Sequence, residues 1–451
     1  MAERGNFGSK LGIVLATAGS AVGLGNIWRF PYMTGQNGGA VFLLTYIGCI
    51  FLLGIPGMLS EFMIGRHGQA NAAKAYEKVS GSRAWRWVGY LGILTGTVIL
   101  GFYAVVAGWC CEYLYASVTG KTLGDADYVK DYFVSFSGDL WRPVLWGVVF
   151  LLATHFVVVR GVRKGIEKAS KRLMPILMVL LIILVVASCM LPGAMEGIRF
   201  LLQPDFSKLT SHSMLEALGQ AFFSLSLGTS CLCTYASYFK KNINLLQAAS
   251  QIALLDTLIA IMAGLVIFPA AATVGINPDS GPSLIFITLP NVFQQAFGGI
   301  PALAYMVSIL FYALLVFAAL TSTISMHEIG TAFFSEEMHL PRQKSAWIIT
   351  AATALICVLC AWSVGAKPEI QIAGVSLMDF CDQLTANVML PLGGMLACLL
   401  VGWFVPKTTV YNEFTNDGQH NQQFYHIVLF AIRYVCPLAI LFVFLHQLGI
   451  V

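Results

Sequence analysis

Charged side chains are scarce in this chain. Only 11% of its 451 residues are Asp, Glu, Lys or Arg, against 57% hydrophobic residues, and the mean hydropathy is +0.76. A soluble domain carries about 25% charged residues, so an ordinary cytosolic enzyme is excluded. An excess of one sign is also missing: 26 Lys and Arg face 22 Asp and Glu, a net of +4. That balance excludes a nucleic-acid footprint and a strongly acidic partner surface. No Ser/Pro-rich linker or charged tail divides the chain, so one integral membrane unit, 1–451, is read in place of several soluble domains. Walker loop, dinucleotide fingerprint, His-Glu-x-x-His and Gly-x-Ser-x-Gly elbow are all absent, which leaves no catalytic set and no organic cofactor. The eleven cysteines, Cys357 and Cys360 among them, fall within or at the rims of apolar segments and read as packing residues. The stretch Met1 to Lys10 is short and polar, with no small-residue cleavage site after it, so no removable signal peptide is expected.

What the chain does have is apolar runs. About 20 such residues cross a bilayer, and eleven candidate spans follow: Leu11–Tyr32, Ala40–Ile64, Val88–Val118, Pro143–Val159, Leu173–Met190, Leu215–Tyr238, Ala248–Val274, Ala302–Phe334, Ala346–Val364, Ile370–Phe404 and Phe424–His446. The fold class is all-α. Between spans 7 and 8, the stretch Asn277 to Pro301 is too broken by Pro278, Pro282 and Pro290 to cross, and short helices folded back over an outer vestibule are expected.

Basic residues mark cytoplasmic loops. Arg66, Lys74, Lys78, Arg83 and Arg86 follow span 2; Arg160, Arg163, Lys164, Lys168, Lys171 and Arg172 follow span 4; Lys240 and Lys241 follow span 6. The loop after span 3 carries Asp125, Asp127, Asp131 and Asp139 instead. The expected placement is a multi-pass cell (inner) membrane protein with a cytoplasmic N-terminus and, from the odd span count, Val451 outside. Trp85, Trp87 and Trp403 fit interfacial anchoring.

Span 1 contains Gly19, Gly23 and Gly25 within seven residues, followed by Asn26 and Arg29. Small residues alone would suit close helix packing. An amide and a guanidinium in hydrocarbon need partners or a wet cavity, so the helix is expected to break there. Span 6 is interrupted similarly at Ser224, Ser226, Gly228, Thr229 and Ser230. Broken helices at corresponding places in two halves point to an inverted-repeat transporter with a midplane site. Repeat one would cover about 10–190 and repeat two about 214–404, with an extra helix at about 424–446. Unwound carbonyls can hold a small cation, and half-helix N-termini can hold a carboxylate.

The run Gly19 to Pro31, ending Asn-Ile-Trp-Arg-Phe-Pro, together with Gln36-Asn37-Gly38-Gly39, Ser226-Leu227-Gly228, Thr234 to Tyr238, Leu320-Thr321-Ser322 and Met378-Asp379-Phe380, closely resembles the neurotransmitter:sodium symporter family. The resemblance covers nearly the whole chain and is nearest to shorter bacterial amino-acid transporters of the leucine-transporter type. It implies a 5+5 inverted repeat with spans 1 and 6 broken.

Residue by residue, the resemblance implies one sodium held by Ala21, Asn26, Ser224 and Asp256 with the substrate carboxylate, and a second held by Gly19, Val22, Ala318, Thr321 and Ser322. Ser and Thr hydroxyls can instead bond back to their own helix. Where the leucine-transporter pattern has a neutral Asn, this chain has Asp256, and Ala260 stands one turn on. A lone carboxylate at mid-span costs about 2.5–3.5 kcal/mol, which a bound sodium would offset. Asp256 is therefore expected to ligate sodium and to replace chloride, the alternative being a protonated Asp bonded to span 1.

The implied substrate site uses N–H groups around Gly23 and Gly25 with Tyr103 for an α-carboxylate, and carbonyls near Ala21, Phe223 and Ser226 for an α-ammonium. Ile99, Phe223, Ser226, Thr229, Ser322, Ser325 and Met326 would line the side-chain pocket. Thr229 and Ser325 are smaller or more polar than the leucine-selective pattern, which argues against a purely aliphatic substrate. Arg29 and Asp379 resemble an outer gate pair acting through water. Arg4 and Glu336 would close the inner mouth, helped by Phe7, Ser237 and Tyr238. Glu61 would brace the break in span 6 or serve a proton-linked role. Glu112, His155, Glu328 and Asp382 read as satisfied polar groups.

The expected function is sodium-coupled symport of a neutral L-amino acid, with two sodium ions and no chloride, by a monomer or loose oligomer in a lipid bilayer and without nucleic acid. Proton coupling through Asp256 or Glu61, and a non-transporting amino-acid sensor, are the alternatives.

Overall fold

The computed structural model describes residues 7–122, 124–275, 284–297 and 299–447. The chain is helical almost throughout. Among the described residues, nine helices are long and apolar enough to cross a membrane: Ala40–Gly68, Arg83–Val118, Arg142–Val159, Val162–Cys189, Leu245–Thr273, Pro301–Glu337, Arg342–Val364, Leu377–Phe404 and Gln422–His446. A tenth span is the pair Lys10–Ala21 and Gly25–Gln36, bent by 55° at its break. Span 6 consists of Ser211–Ser224 and Cys231–Ala236 with a non-helical stretch, 225–230, between them.

The two breaks have local causes. In span 1 the helix that starts on the Ser9 cap ends where Val22 turns extended, after donating its N–H to Ala18 O at 2.7 Å. In span 6, Ser226, Gly228 and Ser230 all have positive φ, 54°, 88° and 58°. A Cβ on Gly228 would lie 2.1 Å from the carbonyl of Leu390 in span 10, so this turn needs glycine for space as well as for φ. Both breaks lie within the packed bundle, where irregular backbone is tolerated.

Span 10 starts later than hydropathy suggests. Gln371–Ile372 pairs antiparallel with Val375–Ser376, because Ala373 and Gly374 adopt positive φ and reverse the chain; the helix then begins at Leu377, capped by Ser376. Span 5 starts earlier, at Val162, because the basic residues after Arg160 continue as a helical turn. Span 1 likewise continues past Tyr32 to Gln36. Loop segments contain further short helices at Ala72–Ser80, Ala126–Ser137, Ala194–Leu202 and Lys407–Thr415. Of the stretch Asn277 to Pro301, residues 284–297 form a helix packed against span 8 and the Ala126–Ser137 helix; 277–283 and 298 lie outside the described residues. Span 1 packs on spans 5, 7 and 8, and span 6 packs on span 2 with its second half also against span 8.

Candidate functional site

The break in span 1 leaves backbone groups without helical partners, and side chains from spans 3, 6 and 8 meet them. The Val22 carbonyl accepts from Ser322 Oγ at 2.9 Å and from Thr321 Oγ1 at 3.3 Å. Thr321 Oγ1 also donates to Ala318 O in its own helix at 2.9 Å. Gly19 faces the same place: a Cβ there would lie 3.2 Å from Thr321 Cβ. Four of the five residues expected to hold a second cation thus touch one another, and Gly19 adjoins them.

A few residues along, Asn26 Nδ2 donates to Asp256 Oδ1 at 2.7 Å, to Asp256 O at 3.2 Å and to Ser224 Oγ at 3.1 Å. Ser224 Oγ in turn donates to Asp256 Oδ2 at 2.6 Å. Tyr46, from span 2, adds its hydroxyl at 3.1 Å from both Asp256 Oδ2 and Ser224 Oγ. All four side chains are buried. The donor set is oxygen-rich and includes one carboxylate, the chemistry a hard cation selects. Sequence reading missed Tyr46, whose only signal is a phenol within an otherwise apolar run.

The substrate residues are brought together with one revision. The Gly23 N–H donates to Asn26 Oδ1 at 3.0 Å, and the Leu24 N–H donates to the Tyr103 hydroxyl at 2.9 Å. Two of the backbone donors in the stretch expected to meet a carboxylate, those of Gly23 and Leu24, are therefore engaged within the protein here, because the extended turn at Val22 points them at Asn26 and at span 3. Gly23 is tightly enclosed: a Cβ would fall 2.5 Å from Ser322 Oγ and 2.8 Å from the Tyr103 hydroxyl oxygen. Ser226 Oγ donates to Ser20 O at 3.1 Å and joins the two breaks. Thr229 Oγ1 donates to Ser226 O, and Ser325 Oγ to Ser322 O, so both hydroxyls lock local turns. Ile99 and Met326 are buried on spans 3 and 8. Gln220 Nε2 donates to Gly25 O at 3.4 Å; sequence reading missed this contact as well.

Glu61 braces span 6 as expected: Oε1 accepts from Gly228 N at 2.7 Å and Oε2 from Cys233 N at 3.3 Å. The outer pair is expected to act through water. Arg29 and Asp379 form no direct ion pair among the described residues. The Arg29 guanidinium lies 4.3 Å over the Phe223 ring, while Asp379 Oδ2 accepts from Ser376 Oγ at 2.7 Å in the helix cap of span 10. Asp382 is exposed, not the satisfied group within the bundle expected of it. Glu112 takes Tyr132, Arg142 and Trp146, Glu328 takes Tyr238 and Arg342, and His155 meets Thr350.

At the other end, Arg4 lies outside the described residues. Glu336 Oε2 accepts from Asn71 N at 2.7 Å. Phe7 is buried against Tyr235, Tyr238 and Phe239. Gly8 N and Ser9 Oγ donate to Glu167 at 2.6 Å and 3.1 Å. Glu167 was not singled out in the sequence; its one signal is an acid alone within a basic run.

Comparison with known proteins bears on this geometry. The chain is 39% identical over 446 residues, 98% of its length and 97% of the relative's, to an uncharacterized sodium-dependent transporter, YhdH, of Bacillus subtilis. It is 25% identical over 450 residues, 89% of this chain and 70% of that one, to the human sodium- and chloride-dependent GABA transporter 2. Among solved structures it superposes on MhsT in complex with L-phenylalanine with a TM-score of 0.90 and 40% identity, covering 99% of this chain and 100% of that one. The family model of the sodium:neurotransmitter symporters matches residues 4–132 and 134–450. With two broken spans meeting at an oxygen-lined centre and a match along nearly its whole length, this chain belongs to the sodium:neurotransmitter symporter family, as a sodium-dependent transporter.

Proposed function

We propose that this protein carries a neutral L-amino acid into the cell together with sodium, by alternating access and without chloride. The observation that carries the reading is the buried cluster of Asn26, Ser224, Tyr46 and Asp256 between the two breaks. A sodium ion there would be ligated by Asp256, Asn26, Ser224 and the Ala21 carbonyl, and a second by Gly19, Val22, Ala318, Thr321 and Ser322. Asp256 supplies the fixed negative charge within the protein, so chloride has no role left. The L-phenylalanine bound by the structural relative supports an amino acid as substrate.

The substrate would lie between Gly23, Gly25 and Tyr103 at its carboxylate and the span 6 carbonyls at its ammonium, each charge meeting an opposite dipole. Its side chain would face Ile99, Phe223, Ser226, Thr229, Ser322, Ser325 and Met326. For the carboxylate to bind, Tyr103 and Asn26 release the Leu24 and Gly23 N–H groups, which links substrate entry to the first sodium site. Spans 1, 2, 6 and 7, two from each of the repeats 10–190 and 214–404, would rock as a bundle against the remaining spans. Arg29 and Asp379 close the outer side through water, and Arg4 and Glu336 the cytoplasmic side, where the N-terminus lies.

Uptake of radiolabelled amino acids into proteoliposomes under an inward sodium gradient tests this. Accumulation is expected to survive replacement of chloride by gluconate and to vanish when potassium replaces sodium. Uptake driven by a pH gradient without sodium overturns the reading.

A further inference from the structure

The turn between spans 4 and 5 holds Arg160, Arg163, Lys164, Lys168, Lys171 and Arg172, and all six line a cavity of about 1340 Å³. Only Lys171 has an acidic partner among the described residues: its Nζ lies 2.6 Å from Glu167 Oε1. Glu167 is itself occupied, since it also accepts from Gly8 and Ser9. The other five cations are exposed and unpaired among the described residues. A loop that merely marks the cytoplasmic side needs basic residues, but that rule does not require them to converge on one cavity. Five like charges sharing a concavity repel one another unless an anion joins them.

The rest of the wall indicates what kind of anion fits. Val157, Leu173 and Leu320 form apolar surface inside the cavity. Beyond it, span 5 presents exposed Ile176, Val179, Ile182, Ile183 and Val186, and its apolar stretch is the least buried of the nine long spans. The basic wall of the cavity therefore adjoins an exposed apolar helix face of the kind that acyl chains cover. Basic clusters beside such a face recognise anionic headgroups.

We propose that this cavity is a binding site for an anionic phospholipid, with the phosphate held by Arg160, Arg163, Lys164, Lys168 and Arg172 and the glycerol and first methylenes resting on Val157 and Leu173. Arg163 also borders the start of span 1, since a Cβ on Gly8 would lie 2.9 Å from Arg163 Nε. The lipid thus adjoins the segment that docks on Glu167.

Native mass spectrometry of the full-length protein tests the site, with phosphatidylglycerol, phosphatidylcholine and inorganic phosphate titrated separately. The comparison is between the natural protein, a Lys164→Gln/Lys168→Gln/Arg172→Gln variant, and a Lys240→Gln/Lys241→Gln/Lys344→Gln control that removes the same charge elsewhere on that face. A melting curve in detergent checks that each variant is folded, and single substitutions replace any triple variant that is not. The natural protein and the control are expected to retain phosphatidylglycerol over phosphatidylcholine, and the cavity variant to bind it at least about fivefold more weakly. Millimolar inorganic phosphate is expected not to displace the lipid. Equal loss in variant and control, no preference for phosphatidylglycerol, or displacement by inorganic phosphate would each overturn the proposal.

Discussion

Asn26 and Asp256, 230 positions apart in the chain, are joined by a 2.7 Å hydrogen bond at the point where span 1 resumes after its break. The same carboxylate takes Ser224 at 2.6 Å and Tyr46 at 3.1 Å. Substituting Asp256→Asn keeps the size and removes the charge. The sodium concentration for half-maximal uptake is expected to rise at least about tenfold, equivalent to about 1.4 kcal/mol, and sodium titration of uptake measures it. An unchanged sodium requirement would show that Asp256 is a structural polar group only.

Gly23 leaves no room for a methyl group. The Gly23→Ala side chain would meet Ser322 Oγ at 2.5 Å and the Tyr103 hydroxyl at 2.8 Å, both part of the break itself. Binding of labelled substrate in detergent is expected to fall below detection, while the melting temperature changes little because the clash lies at a loosely helical turn. Gly81→Ala serves as the comparison: nothing lies within 4 Å of its added Cβ, although its φ of 71° makes it mildly unfavourable.

Glu61 accepts two backbone N–H groups of the span 6 break, one on each oxygen. Glu61→Gln retains one acceptor oxygen and leaves the other N–H buried without a partner, a loss of about 1–3 kcal/mol. A lower melting temperature with sodium-driven uptake still present identifies Glu61 as a brace. Loss of uptake at unchanged stability would identify it as part of the transport chemistry.

Glu413, on the helix Lys407–Thr415, meets Arg66 Nε at 2.7 Å and His67 Nδ1 at 3.2 Å. Burial alone would raise its carboxyl, but the hydrogen bond from His67 and the Arg66 guanidinium outweigh it, and the group is held below the usual carboxylate range. A depressed folded value means the pair stabilises the protein above the unfolded Glu range near about 4.3, and the contribution is lost as pH falls through the folded value. Melting curves from neutral pH to below the usual carboxylate range should separate the natural protein from Glu413→Gln at the upper end and bring them together only below the depressed folded value. Arg66→Ala is the harsher change, at about 3–5 kcal/mol, because it strands a mostly buried carboxylate.

Much of the site was legible in the sequence because its signals are local. Glycines at 19, 23 and 25 weaken a helix wherever they sit, and Ser226, Gly228 and Ser230 mark a turn through their own backbone preferences. Thr321, Ser322, Ser224 and Asp256 were singled out by the resemblance to the family, on motifs that stand in this chain. Tyr46 and Glu167 escaped notice because nothing near them in the chain reveals their partners: Tyr46 bonds to a residue 210 positions away and Glu167 to one 159 away. The capping bond of Asp379 to Ser376 escaped notice likewise, since it depends on where the helix starts, and the Ala373-Gly374 reversal moves that start.

The sequence by itself determined that this is a helical membrane protein, roughly where its spans lie and where two of them break, because hydropathy and backbone propensity act over a few neighbouring residues. Only the tertiary structure decided which of the freed backbone groups are already taken, that Asp256 is shared among Asn26, Ser224 and Tyr46, and that the six basic residues of the turn before span 5 face a single cavity. Hydrogen bonds and like-charge contacts depend on distances of a few ångströms between residues far apart along the chain, and those distances exist only once the helices have packed.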